Sequence, residues 1–222
     1  MPARLRRSSS KFPKKQRLFR SIAGITIVEM VAVIGIITAL GTMVVLAVRD
    51  VNNKANVTTA GYTQKYLQTG VQLYRADMGF YPPDVVRGWD PGLIKKLPWN
   101  PDIDAGDTVP APYNVAGTKW TDLPCGTDVA CTAIINVRWK GPYISQWPRY
   151  TPWRGKYDYN YWASNTTRYG CAVPKGVYTG VQKDYTNSTG GISAEGEALM
   201  IQEGFDNEQC VNGESQMLLW RL

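Results

Sequence analysis

The chain has 222 residues, rich in Trp (8), Tyr (13), Pro (14) and Gly (21), with four Cys and no His. Without His it lacks the commonest general base and the commonest transition-metal ligand, which argues against most hydrolase and metalloenzyme readings. The net charge of +7 comes from the N-terminus: residues 1–24 hold eight of the 25 basic residues and no acidic ones, leaving 17 basic against 18 acidic in the remainder. A near-neutral body is not expected to bind nucleic acid.

In chain order, residues 1–24 form a basic leader, and residues 25–48 an apolar segment, ITIVEMVAVIGIITALGTMVVLAV, with a single charge. At 1.5 Å per residue this helix is roughly 36 Å long, enough to cross a ~30 Å hydrocarbon layer with some tilt. The charge asymmetry places the leader in the cytoplasm and everything after Arg49 on the far side. A cleavable secretory signal would have a shorter apolar core and a small-residue cleavage site, and LAVRDVNNKANV offers no convincing one. Glu29 is the exception within the apolar run. A carboxylate there costs on the order of 2.5–3.5 kcal/mol and marks a functional position; the competing reading is an interfacial side chain that reaches back to water.

The string Gly24-Ile25-Thr26-Ile27-Val28-Glu29 resembles the prepilin signature, in which a basic leader ends in Gly and the fifth residue of the following apolar run is Glu. The resemblance implies cleavage between Gly24 and Ile25 by a prepilin peptidase on the cytoplasmic face, and N-methylation of Ile25. It also implies that Glu29 neutralises the Ile25 ammonium of a neighbouring subunit. The implied product is a helical homo-oligomeric filament, drawn from the lipid bilayer by an inner-membrane assembly platform together with minor pilins. Ile25 stands where Phe is usual, and the family's proline near the end of the apolar run is missing. Gly35 and Gly41 are then the weak points at which the helix can stretch during assembly.

Beyond the membrane segment, residues 49–80 continue the helix as an amphipathic half. Leu67, Val71, Tyr74 and Met78 recur at helical spacing, with Val51, Ala55 and Tyr62 read as the same stripe upstream. Gly79 is placed as a C-cap and Pro82-Pro83 ends the helix. A helix from 25 to about 78 is roughly 80 Å long. Gly61 and Gly70 weaken its outer half by about 1 kcal/mol each relative to Ala. A heptad is not sustained for the three or four repeats a coiled-coil stalk would need.

Residues 81–222 read as an exported β-rich domain with variable loops. Tyr74-Arg-Ala-Asp77-Met-Gly79-Phe-Tyr81-Pro82, followed by Gly141-Pro-Tyr143-Ile144, Trp147-Pro148, Pro152-Trp153 and Gly155-Lys-Tyr157-Asp-Tyr159, resembles the major pseudopilin of type II secretion systems. With the N-terminal signature, the resemblance covers residues 20–100 and 140–162. From the residues themselves, Tyr157–Trp162 alternates like a half-buried strand, and Gly176–Val181 and Gln216–Trp220 are further strand candidates. The aromatic cluster in 139–162 reads as core and turn scaffold in preference to a stacking surface for sugars or neighbouring subunits.

Cys125, Cys131, Cys171 and Cys210 all follow the apolar segment, as expected for disulfides formed outside the cytoplasm. Three pairings are possible. Preferred are a local Cys125–Cys131 loop and a Cys171–Cys210 bridge holding the C-terminal segment; a C-terminal disulfide loop is also common in the family the chain resembles. Zinc is disfavoured without His or a C-x-x-C pair. Calcium is the one cofactor considered: Asp102, Asp104 and Asp107 have oxygen donors at workable spacing but no acidic closing residue, so a solvated turn is preferred.

The expected fold is α+β: a long N-terminal helix with a membrane-spanning first half, packed on a small antiparallel β-sheet domain, the pilin fold. With no nucleophile–base pair and no phosphate loop, no enzymatic activity is expected. The expected function is a structural filament subunit. The blocks at 74–82 and 141–159 favour a secretion pseudopilus, and a surface or DNA-uptake pilus stays open. The alternative is a membrane-anchored adhesin or carbohydrate-binding module that never polymerises.

Overall fold

A computed structural model describes residues 24–102, 119–168, 170–184, 188–208 and 210–222. The described residues divide into two units, one up to Leu46 and one from Ala47 onward. The elements in order are α1 (Ile27–Met78), α2 (Asp128–Arg138), β1 (Lys156–Trp162), β2 (Thr166–Arg168), β3 (Cys171–Val173), β4 (Gly176–Gln182), α3 (Ala194–Gln202) and β5 (Ser215–Arg221).

α1 is continuous across residues 48–49. It stops where the sequence provides a residue that tolerates a left-handed backbone: Gly79 has φ 84° and its amide donates to the Arg75 carbonyl at 2.8 Å. Val57, Ala60, Gln64, Leu67, Val71, Tyr74 and Met78 are buried on one face of the helix, alternating three and four apart.

This corrects the upstream half of the expected stripe, because Val51, Ala55 and Tyr62 are exposed. The buried line runs instead through Ala60, Gly61 and Gln64, residues that carry little hydrophobic signal. A β-carbon on Gly61 would overlap the Phe205 ring, and one on Gly70 would overlap Ile144. These glycines set how closely the body approaches the helix, so they are more than the propensity defects their helical position suggests.

The sheet that α1 packs on has the strand order β1-β4-β5, antiparallel throughout, and β2 and β3 form a separate hairpin. Tyr159 pairs with Thr179, which pairs in turn with Met217. Gln64 is the polar joint between layers: its amide nitrogen donates to the Thr179 carbonyl at 3.0 Å and the Ser215 hydroxyl at 3.1 Å. Gln68 likewise donates to the Met217 carbonyl at 3.1 Å. One contiguous core joins Leu67, Val71 and Tyr74 of α1 to Tyr157, Tyr159, Val177, Val181 and Met217 of the sheet. Helix-on-sheet layering of this kind is an α+β architecture.

β1 is buried on both faces, which corrects the half-buried reading of its alternation. Asp158 and Asn160 point away from α1 yet are only 2–3 % exposed. Segment 84–88 and the β2–β3 hairpin cover that side. Arg87 donates to the Lys183 carbonyl, Arg168 to Gln182, and Asn160 to Gln216. Among the aromatic residues of 139–162, Trp147, Tyr157, Tyr159 and Tyr161 are buried, as a core scaffold requires, while Tyr150 is 59 % exposed.

Candidate functional site

The first candidate is the Gly24–Glu29 segment at the head of α1. Thr26 precedes the helix, and its hydroxyl accepts from the Glu29 amide at 3.2 Å. The Glu29 carboxylate reaches back through Oε2 to the Thr26 amide and the Thr26 hydroxyl, each at 3.0 Å. The Met30 amide opens the helical ladder on the Thr26 carbonyl at 3.1 Å. This reciprocal arrangement is a capping box, which satisfies two of the amides left over at a helix start.

The signal for Thr26 in the sequence is Thr-x-x-Glu before an apolar run. Glu29 is thus fixed beside the backbone of residues 25 and 26, within one helical turn of the Gly24–Ile25 bond. Every residue from Gly24 to Asp50 is exposed, including fifteen large apolar side chains between Ile25 and Val48. Leaving these in water costs on the order of 20–40 kcal/mol at 1.5–3 kcal/mol each. α1 is long and apolar enough at its N-terminal end to cross a membrane. A helix apolar on all sides needs lipid or other helices around it.

The cysteines are all bridged: Cys125 to Cys131, which frames the start of α2, and Cys171 to Cys210, across 39 positions. Thr127 caps α2, accepting from the Ala130 amide at 3.2 Å, and lies inside the first loop. The second bridge fastens β3 to the segment that leads into β5.

Of the three aspartates considered for calcium, Asp102 is ion-paired with Lys156, and Asp104 and Asp107 lie outside the described residues. Among the described residues, no group of three or more His, Cys, Asp or Glu side chains could hold a metal ion.

Acidic groups do gather in two buried places. Behind the sheet, Asp84 accepts the Lys119 ammonium at 3.2 Å, and burial lifts its carboxyl to about 6. Asp158, fully buried and next to the charge of Asp84, rises to about 8 despite Arg87 and Arg168 nearby. Around the second disulfide, Glu197 of α3 and Asp206, Glu208 and Glu214 of the segment before β5 gather, each carboxyl raised chiefly by burial.

A further structural carboxylate, Asp90, organises the loop after α1. It accepts the Leu93 amide at 2.8 Å, the Ile94 amide at 3.0 Å and the Trp99 indole at 2.8 Å. Such fully bonded acids hold loops in place.

No protein-family model, curated protein or solved structure matches the chain. Its class rests on its own features. It is an α+β protein with a long N-terminal apolar helix, whose later half packs on a small antiparallel sheet, and with two disulfides. This arrangement is consistent with a pilin-like protein.

Proposed function

We propose that the chain is a structural subunit of a type IV pilin-like filament, made as a precursor and hydrolysed between Gly24 and Ile25 by a prepilin peptidase. Hydrolysis leaves a carboxylate on Gly24 and an ammonium on Ile25, which is then N-methylated. Before cleavage the leader is cytoplasmic, the apolar half of α1 lies in the cell membrane, and the β-rich body is periplasmic or extracellular. Assembly transfers α1 from lipid into a bundle of like helices, driven by an inner-membrane platform with minor pilins. In that apolar bundle the Glu29 carboxylate compensates an Ile25 ammonium, since neither ion is tolerated unpaired there. The resemblance of segments 74–82 and 141–159 to the major pseudopilin favours a secretion pseudopilus over a surface pilus.

The observation that carries the reading is the capped helix start directly after Gly24, followed by an apolar surface interrupted by one carboxylate, Glu29. Mass spectrometry of the mature N-terminus tests it. A chain beginning at methylated Ile25 is expected. One beginning at Met1, or beyond Val48, would overturn the reading, and an intact leader without filaments in sheared cell-surface material would favour a membrane-tethered binding module.

A further inference from the structure

Among the described residues, the outer edge of β5 is covered by the turn at Asp206–Asn207 and not by another strand. The Gln216 amide donates to Asp206 Oδ1 at 3.1 Å, the Asn207 amide to the Gln216 carbonyl at 2.9 Å, and the Leu218 amide to Asn207 Oδ1 at 2.6 Å. A sheet edge left open is a pairing surface for other chains, so this cover has a purpose. Its attachment is acidic throughout. Glu197 of α3 takes the Asn212 amide at 2.7 Å and the Gly213 amide at 2.6 Å. Glu208 takes the Asn212 side chain at 2.9 Å, and Asp206 also takes the Glu208 amide at 3.1 Å. Glu214 faces Arg87 at 3.4 Å.

One oxygen each of Asp206, Glu208 and Glu214 is buried with no hydrogen-bond partner among the described residues. The cations facing this loop are Arg87 from segment 84–88, Arg168 from β2 and Lys183 after β4, and all three act on Glu214. On the β4 side Glu208 meets the Tyr178 phenol, which Arg221 of β5 also approaches. Glu208 itself faces Asp206, Glu214 and Glu197, like charges that raise its carboxyl together with burial.

We propose that the turns flanking Cys210, Asp206–Glu208 and Asn212–Glu214, form a proton-gated cover of the β5 edge. The cover is closed while the carboxylate cluster holds a proton and loosened when every member is ionised. The Cys171–Cys210 bridge keeps the loosened segment tethered, so opening is local and reversible. This device does not depend on the filament reading.

The sign follows from linkage. A carboxyl raised in the closed state to about 7, from an ordinary 4.5, stabilises closure at low pH, and this is lost as pH rises through about 7. Between about pH 5.5 and about pH 8.5 the closing constant falls about thirtyfold.

Amide hydrogen exchange on the full chain in detergent micelles, with rates corrected for intrinsic pH dependence, reads this directly. In an Asp158→Asn background, which removes the buried β1 carboxyl that titrates at about 8, protection at Asn207, Asn212, Gly213, Gln216 and Leu218 should fall about thirtyfold across that range relative to residues 157–161 of β1. Glu208→Gln, which keeps an acceptor for Asn212, should remove most of the difference, and Asp206→Asn, which removes a like charge, should shrink it. A change shared equally by β1, no change at all, or a full change retained in both variants would overturn the proposal.

Discussion

The ring of Phe205 fills the space that a β-carbon on Gly61 would need. Phe205 also packs against Tyr62, centroids 6.3 Å apart, with the Lys65 ammonium 5.0 Å from its ring centre. The close approach between α1 and the turn after α3 therefore requires a residue without a side chain.

Gly61→Ala should accordingly lower body stability by about 1–2 kcal/mol, because overpacking outweighs the ~1 kcal/mol helix-propensity gain. Gly35→Ala, whose new carbon meets nothing within 4 Å, should leave the unfolding midpoint of the body unchanged. Chemical denaturation of the two variants in the same detergent compares them, and equal midpoints would refute the packing argument.

At the other end of α1, the cap and the charge of Glu29 can be separated. Glu29→Gln keeps an acceptor for the Thr26 amide but loses the ion. Thr26→Ala keeps the ion and loses the hydroxyl, a cap worth about 1 kcal/mol. Filaments counted by electron microscopy should vanish in Glu29→Gln and persist in Thr26→Ala, with leader cleavage intact in both. Normal filaments from Glu29→Gln would remove charge compensation from the mechanism.

The inner half of this chemistry was legible, and the reasons for the rest are local. β1 announces itself through alternating aromatics, β4 through Val and Tyr between glycines, and β5 through the apolar run Met217-Leu-Leu-Trp220 after Gly213. Leu67, Val71, Tyr74 and Met78 mark α1 because four large apolar side chains repeat at helical spacing. Upstream the burial passes to Ala60, Gly61 and Gln64, whose fit depends on Phe205 and Thr179 at a distance that periodicity cannot register. Asp158 and Asn160 look solvent-facing by alternation, and only the hairpin and segment 84–88 reverse that. α2 and α3 are not legible in the sequence although Thr127 and Ser193 cap them; α3 is short and contains Gly196, and α2 is rich in β-branched residues, Thr132, Ile134, Ile135 and Val137.

Asp158 gives a pH prediction for the whole body. Its carboxyl stands at about 8 in the fold against an ordinary 3.8, so the folded state holds a proton that the unfolded chain releases. Its stabilising contribution is complete below about pH 4 and is lost as pH rises through about 8. Asp158→Asn should flatten the fall in urea midpoint between neutral and alkaline pH. An unchanged profile would show that Asp158 is ionised in the fold.

The two disulfides should differ in weight. Closing 39 positions restricts the unfolded chain more than closing six. Loop entropy gives about 4 kcal/mol for Cys171–Cys210 and about 2 kcal/mol for Cys125–Cys131. Paired Cys→Ser variants, compared by thermal unfolding, should rank in that order. The reverse ranking would mean that native contacts around α2 depend on the shorter bridge.

Gln64 lies in the first third of the chain, yet the hydroxyl that accepts from its amide belongs to Ser215, 151 positions later. Thr179, the other acceptor of that amide, sits on the central strand, so the helix is keyed to the middle and to the edge of the sheet at once. Cutting away Ser215–Arg221 would strip the sheet of an edge and the helix of one acceptor in a single stroke, so the two layers are expected to lose their order together.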